Sequence, residues 1–112
     1  MPVEQWSDEI VLVNLRPEPQ FTEEIQSLRD HLRDDPSHVV LNLAEVDGLN
    51  SSNLSQLLRI RQRVIESDRK LKLATVNDRV WSVLSVTGLD QVFEFAEDVG
   101  SALAGLQMGM QR

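Results

Sequence analysis

Residues 38–76, "HVVLNLAEVDGLNSSNLSQLLRIRQRVIESDRKLKLATV", decide the fold. Two short apolar runs, HVVLNL (His38–Leu43) and LKLATV (Leu71–Val76), flank a segment of helical periodicity from Asn50 to Ser67. Each run reads as a strand, the first a buried one. Strand, helix and strand in succession predict a crossover and a largely parallel sheet.

The pattern extends outward in both directions. Toward the N-terminus, IVLVNL (Ile10–Leu15) is β-rich, and VEQW (Val3–Trp6) pairs with it through a Ser7-Asp8-Glu9 turn, adding an antiparallel edge. Pro17 and Pro19 end that region. Thr22 is a good N-cap, with Glu23 and Glu24 in a first turn that favours acids. Ile25, Leu28 and Leu32 then recur at helical spacing to about Asp34, and Pro36 stops the helix. Toward the C-terminus, Asn77 or Asp78 caps a short helix carrying Val80, Trp81, Val83 and Leu84, and Gly88 ends it. VFEF (Val92–Phe95) alternates like a last short strand. A final helix from Glu97 to about Met108 turns Val99, Leu103 and Leu106 inward, leaving 107–112 as a frayed tail. The expected architecture is α/β: one mixed, mostly parallel sheet of about four or five strands with about four helices. Phe21, Phe93, Phe95, Trp6 and Trp81 are expected in the core.

Composition bounds the function. The 112 residues fit one domain spanning 1–112. A mass of 12.7 kDa implies roughly 6,200 Å² of folded surface against about 18,400 Å² unfolded, enough burial for one core. The absence of cysteine excludes disulfides and thiolate metal sites. The first ten residues lack the basic and apolar regions of a signal peptide, and no apolar run approaches a membrane span, so a soluble, cytoplasmic protein is expected. The net charge of −7 is uneven. Residues 1–47 carry 11 acids and 3 bases, residues 48–79 carry 3 acids and 7 bases, and residues 80–112 carry 4 acids and 1 base. A positive middle on an acidic chain points to a partner-facing surface more than to nucleic acid, although a merely solvated helix face has the same signature.

The Asn50–Ser67 helix opens on four small polar residues, Asn50-Ser51-Ser52-Asn53. Asn50 is suited to cap the N–H of Ser52 or Asn53. On a wheel of about 100° per residue with Leu54 at zero, Leu57, Leu58, Ile60, Val64 and Ile65 define an apolar arc centred near ~320°. Ser51 lies at its edge, at about 60°. Ser52 falls near ~160°, on an outward face with Gln56, Arg59 and Arg63. Arg61 points toward the core face and is expected to reach out at the rim. Ser52 is therefore exposed in the first turn, where backbone N–H groups lack intrahelical partners and carry partial positive charge. A phosphate is electrostatically tolerated there. Capping alone also explains these residues.

The strand VVLNL followed by Leu49-Asn50-Ser51-Ser52-Asn53-Leu54, with the downstream LKLATVNDRVWSVLSVTGLDQVFEF, resembles a STAS domain of the anti-sigma factor antagonist type. The resemblance runs from about residue 10 to the final helix. Such proteins bind an anti-sigma factor that is also a serine kinase, and so free a sigma factor. Phosphorylation of a serine at the helix start ends the binding, and a phosphatase resets it. By position the phosphorylated residue is Ser52, with Ser51 the alternative, and Asn50, Ser51, Ser52, Asn53, Gln56, Arg59 and Arg63 form the partner-binding set. Two residues depart from the family motif: Asn50 stands in place of an acid and Asn53 in place of a glycine, which puts a side chain at the expected interface. The resemblance implies protein partners; the residues themselves call for no cofactor, and the charge and hydropathy patterns for no nucleic-acid binding and no membrane insertion, with a monomer or weak dimer expected. A STAS scaffold without phosphorylation, in a signalling or membrane-transport complex, is the main alternative; an acidic domain that binds a basic partner by charge is a third.

Catalysis is not expected. His31 and His38 are the only histidines and read as surface residues. No metal-ligand cluster, nucleophile elbow or phosphate-binding loop is present.

Overall fold

The structure, a computed structural model, describes residues 3–110, the side chain of Met110 excepted. Five strands and four helices follow in the order β1 (Val3–Gln5), β2 (Ile10–Asn14), α1 (Gln20–Asp34), β3 (His38–Asn42), α2 (Ser51–Glu66), β4 (Leu71–Ala74), α3 (Asp78–Val86), β5 (Glu94–Ala96) and α4 (Val99–Met110). A single 3-10 turn, Leu89–Gln91, joins α3 to β5.

The sheet order is sequential, β1-β2-β3-β4-β5. Only β1 is antiparallel, pairing Val3 with Val13 and Gln5 with Val11. The other strands are parallel, with Val39 opposite Val11 and Leu71 opposite Val39. Each parallel step needs a crossover, which α1, α2 and α3 supply.

Alternation along the strands divides the core in two. Val11, Val13, Val39, Leu41, Leu71 and Leu73 face the three crossover helices. Ile10, Leu12, Val40 and Ala74 face Ala102, Leu103 and Leu106 of α4. The central strands are thus apolar on both sides, as buried parallel strands are. Because α1 and α2 follow neighbouring parallel strands, they run side by side in the same direction, and their N-termini meet at one edge of the domain.

Several local expectations change. Helix α1 begins at Gln20, so Thr22 lies inside its first turn rather than at the N-cap; that position is Pro19, which makes no side-chain cap bond. The capping acceptor is Glu18, which takes both the N–H (2.9 Å) and the hydroxyl (2.7 Å) of Thr22. Glu24 is not an outward first-turn acid. It is 2% exposed and accepts the Arg16 N–H at 2.9 Å and Nε at 2.7 Å. Strand β5 is Glu94–Ala96 rather than Val92–Phe95, because the 3-10 turn occupies Leu89–Gln91 and Val92 caps it. Helix α4 begins at Val99 and continues to Met110, two residues past the expected Met108 and into the expected tail; Asp98 accepts the Ser101 N–H at 2.7 Å to start it. Residues 111 and 112 of that tail lie outside the described residues.

The aromatic expectation splits. Phe21 and Phe93 are buried, but Trp6 is 47% and Trp81 43% exposed. Trp6 sits at the β1–β2 turn, and Trp81 packs edge-on against half-buried Phe95 on the last strand, ring centroids 5.1 Å apart. They lie at the two edges of the sheet, where no further strand covers them among the described residues. The histidines are half-buried rather than superficial. His38 Nδ1 accepts the Lys70 N–H at 3.0 Å, and burial, with the Arg69 charge second, holds its pKa below the usual 6.5.

Candidate functional site

The buried stripe of α2 is Leu57, Ile60 and Val64, while Leu58 and Ile65 are exposed. The helix is therefore turned by about 50° from the orientation the apolar arc implies. Arg61 reaches the rim as expected, its Nε donating to the Val92 carbonyl at 3.1 Å. Ser51 and Ser52 stay exposed in the first turn, and Arg59 and Arg63 stay exposed further along.

What fixes this helix start is a reciprocal cap. Asn50 Oδ1 accepts the Asn53 N–H at 2.7 Å, and Asn53 Oδ1 accepts the Asn50 N–H at 3.1 Å. The two asparagines thus do the work of a capping box and satisfy two backbone donors that the helix itself cannot. Asn53 was expected to present a side chain at the interface in place of the family glycine. Instead it is 4% exposed, because its second function is internal: Nδ2 donates to Glu18 Oε2 at 3.0 Å. Of the seven expected partner-binding residues, then, Asn53 is a support beneath the surface. Gln56 is also partly withdrawn, half-buried with its Nε2 donating to Thr22 Oγ1 at 3.0 Å. Asn50, Ser51, Ser52, Arg59 and Arg63 form the exposed set.

Glu18 is the residue that sequence reasoning missed. Its carboxylate joins the first turns of two helices, through Thr22 on one side and, 35 positions on from Glu18, Asn53 on the other. The Thr22 hydroxyl and then the Thr22 N–H hold its pKa below the ordinary glutamate value, against a desolvation cost, with the Asn53 amide adding to the effect. Its place after Pro17 and before Pro19 reads only as a chain break. Its partner on α2 becomes visible only when α1 and α2 lie together.

A cleft of about 420 Å³ opens beside this network, between Pro17, Glu18 and Phe21 on one side and Val46, Gly48 and Asn50 on the other. The loop forming its second wall is tied down by Asn77, whose Nδ2 donates to the Val46 carbonyl at 2.9 Å while its Oδ1 caps α3 at Val80. Thr75, just before, holds a φ of 60°, uncommon and costly for a β-branched residue. The α2 start is therefore braced from both flanks, with two serine hydroxyls left facing outward.

These features define a small mixed α/β domain in which a network of polar side chains holds an exposed helix start. Residues 16–102 match the family described as STAS domain, and the chain belongs to that family. Its fold is shared with an anti-sigma-factor antagonist (STAS) domain protein from Planctomyces limnophilus, at a TM-score of 0.78 and 19% identity over 90% of this chain and 93% of that one. An RsbS variant from Moorella thermoacetica superposes at a TM-score of 0.80 with 18% identity, over 99% of this chain and 100% of that one. The Thermotoga maritima protein TM1081 does so at 0.74 with 19% identity, over 95% and 93%. No curated protein sequence matches the chain significantly. Among the described residues, no helix is long and apolar enough to cross a membrane.

Proposed function

We propose that the protein is an anti-sigma factor antagonist. In this reading it binds an anti-sigma factor that is also a serine kinase, through the start and outer face of α2, and thereby frees a sigma factor. Phosphorylation of Ser52, or alternatively Ser51, ends the binding, and a phosphatase restores it. The protein acts by binding and has no catalytic role of its own. The observation that carries this reading is the exposed Ser52 in the first turn of a helix whose N-terminus is held by the Asn50–Asn53 box and by Glu18.

Magnitudes decide how such a switch works. Moving a binding equilibrium from 1:99 to 99:1 takes about 5.5 kcal/mol. A phosphate near the helix N-terminus changes the stability of the helix by only about 0.3–1 kcal/mol, in the stabilising direction. Refolding of this braced turn is therefore not the lever. The phosphate acts at the interface, where an added charge that is desolvated or set against a like charge costs several kcal/mol.

The test is a bait experiment with wild type, Ser52→Ala and Ser52→Asp in lysate of the native cell, with mass-spectrometric mapping of the modified serine. Capture of an ATP-binding serine kinase by the first two baits and its loss with the third supports the switch. Identical capture by all three rejects it and favours a STAS scaffold that is not phosphorylated.

A further inference from the structure

We infer that the groove between α1 and α2 is a docking surface for an acidic helical segment of a protein partner, one that extends the proposed α2 contact onto α1. The inference rests on the reading of α2 as the partner-facing helix. Its warrant is a juxtaposition that the sequence does not display. The two helices are in parallel register, with Gln56 bonded to Thr22, 34 positions away. One heptad further along, the same offset brings Arg63 of α2 beside Arg29 of α1. With Arg33, Gln26 and Asp30 they line an open groove of about 460 Å³.

The groove is cationic on an acidic protein. Three guanidiniums face one carboxylate, in a chain of net charge −7. That carboxylate is already engaged, since Asp30 pairs with Arg33 one turn away on the same helix. Among the described residues neither Arg29 nor Arg63 has an ion-pair partner. Arg59, exposed one turn before Arg63, continues the cationic strip toward Ser52. Guanidinium groups bind carboxylates through two parallel hydrogen bonds, so an unpaired set along a groove suits a row of glutamates or aspartates at helical spacing.

The geometry also fits the switch. Ser52 lies 11 residues before Arg63, about 16 Å along the helix axis. A partner helix of three to four turns spans both. Its carboxylates rest over the arginines, and a phosphate at Ser52 then meets a segment of its own sign. A long-chain polyphosphate such as RNA would also seek arginines, but the overall acidity of the chain opposes it.

The experiment uses the full chain, isotopically labelled for NMR, and a 16-residue alanine-based helical peptide with glutamates along one face. A lysine-for-glutamate peptide and a 12-nucleotide single-stranded RNA are run in parallel. The expected result is saturable shifts at the backbone and Nε signals of Arg29, Arg33 and Arg63 with the glutamate peptide alone. Raising salt from about 50 to 300 mM is expected to weaken binding severalfold. Arg29→Ala/Arg63→Ala, on an exposed surface, keeps its thermal midpoint and loses about tenfold in affinity, as two exposed charge pairs allow. Shifts that miss Arg29 and Arg33, equal binding of the lysine peptide, tighter binding of RNA at the groove, or an unchanged affinity in the double variant would each overturn the inference. The two readings fail separately. Baits indifferent to Ser52→Asp remove the switch and leave the groove, whereas a titration that misses α1 removes the groove and leaves the switch.

Discussion

Asn53 offers the sharpest test of how the α2 start is held. Asn53→Ala removes two side-chain hydrogen bonds at a position only 4% exposed. The bond to the Asn50 N–H is neutral and contributes about 1 kcal/mol; the bond to the Glu18 carboxylate, on an exposed acid, contributes about 1.5 kcal/mol. Alanine returns roughly 0.6 kcal/mol through its higher helix propensity. The net loss is about 2 kcal/mol. For a domain of this size that lowers the thermal midpoint by roughly 8 °C. Asn53→Gly, which restores the residue the family motif carries, loses the same bonds without the propensity gain and adds backbone freedom, so its cost rises to about 3 kcal/mol. Urea denaturation followed by circular dichroism gives both values. Amide exchange is expected to accelerate first at Asn50 and across the first turn of α2. A loss below about 0.5 kcal/mol in both variants, or a glycine variant more stable than the alanine one, would refute this account of the cap. A double-mutant cycle with Glu18→Gln is expected to return a coupling of about 1 kcal/mol, since the two side chains touch.

Other perturbations probe other links. Glu24→Ala removes the buried acceptor of the Arg16 N–H, so urea melts are expected to show a loss of about 1–3 kcal/mol, and the exposed Arg16 guanidinium turns to water instead. His38 has a folded pKa below its unfolded value of 6.5, so its contribution to stability is complete above pH 6.5 and is lost as pH falls through the folded pKa. The thermal midpoint is therefore expected to drop below pH 6.5, and His38→Gln to flatten that part of the profile; an unchanged slope would dissociate His38 from it. Glu18 likewise has a lowered pKa, so its stabilisation is present above its unfolded pKa and fades at lower pH, and Glu18→Gln should remove that acid-side component. Ser52→Asp, a bare carboxylate at an exposed first turn, is expected to leave folding stability within about 0.5 kcal/mol of wild type in the same melts, and a larger loss would mean that the hydroxyl is structural.

Much of this protein was legible from sequence because much of it is governed by local rules. The apolar runs at His38–Leu43 and Leu71–Val76 define strands, and the periodicity between them defines a helix, whatever else the chain does. Asn50 caps because a short polar side chain before a helix reaches its free N–H groups. Ser52 is exposed because the spacing of Leu57, Ile60 and Val64 leaves it no apolar neighbour to join. The resemblance to STAS domains rested on the same local order of elements.

Tertiary structure decided what depended on residues far apart in the chain. Asn53 looked like an addition to a surface and became a buried brace, because Glu18, 35 positions earlier, stands beside it only when α1 and α2 are packed. Glu24 turned inward because Arg16 lay within reach to neutralise it. Trp81 remained exposed because it packs at the β5 edge of the sheet, beyond which no further strand lies among the described residues. Arg29, Arg33 and Arg63 make a groove only through the parallel register of two helices. Periodicity gives each helix a face, but the side chains that share the space between two helices are chosen by packing, and a single sequence does not encode that pairing in any local pattern.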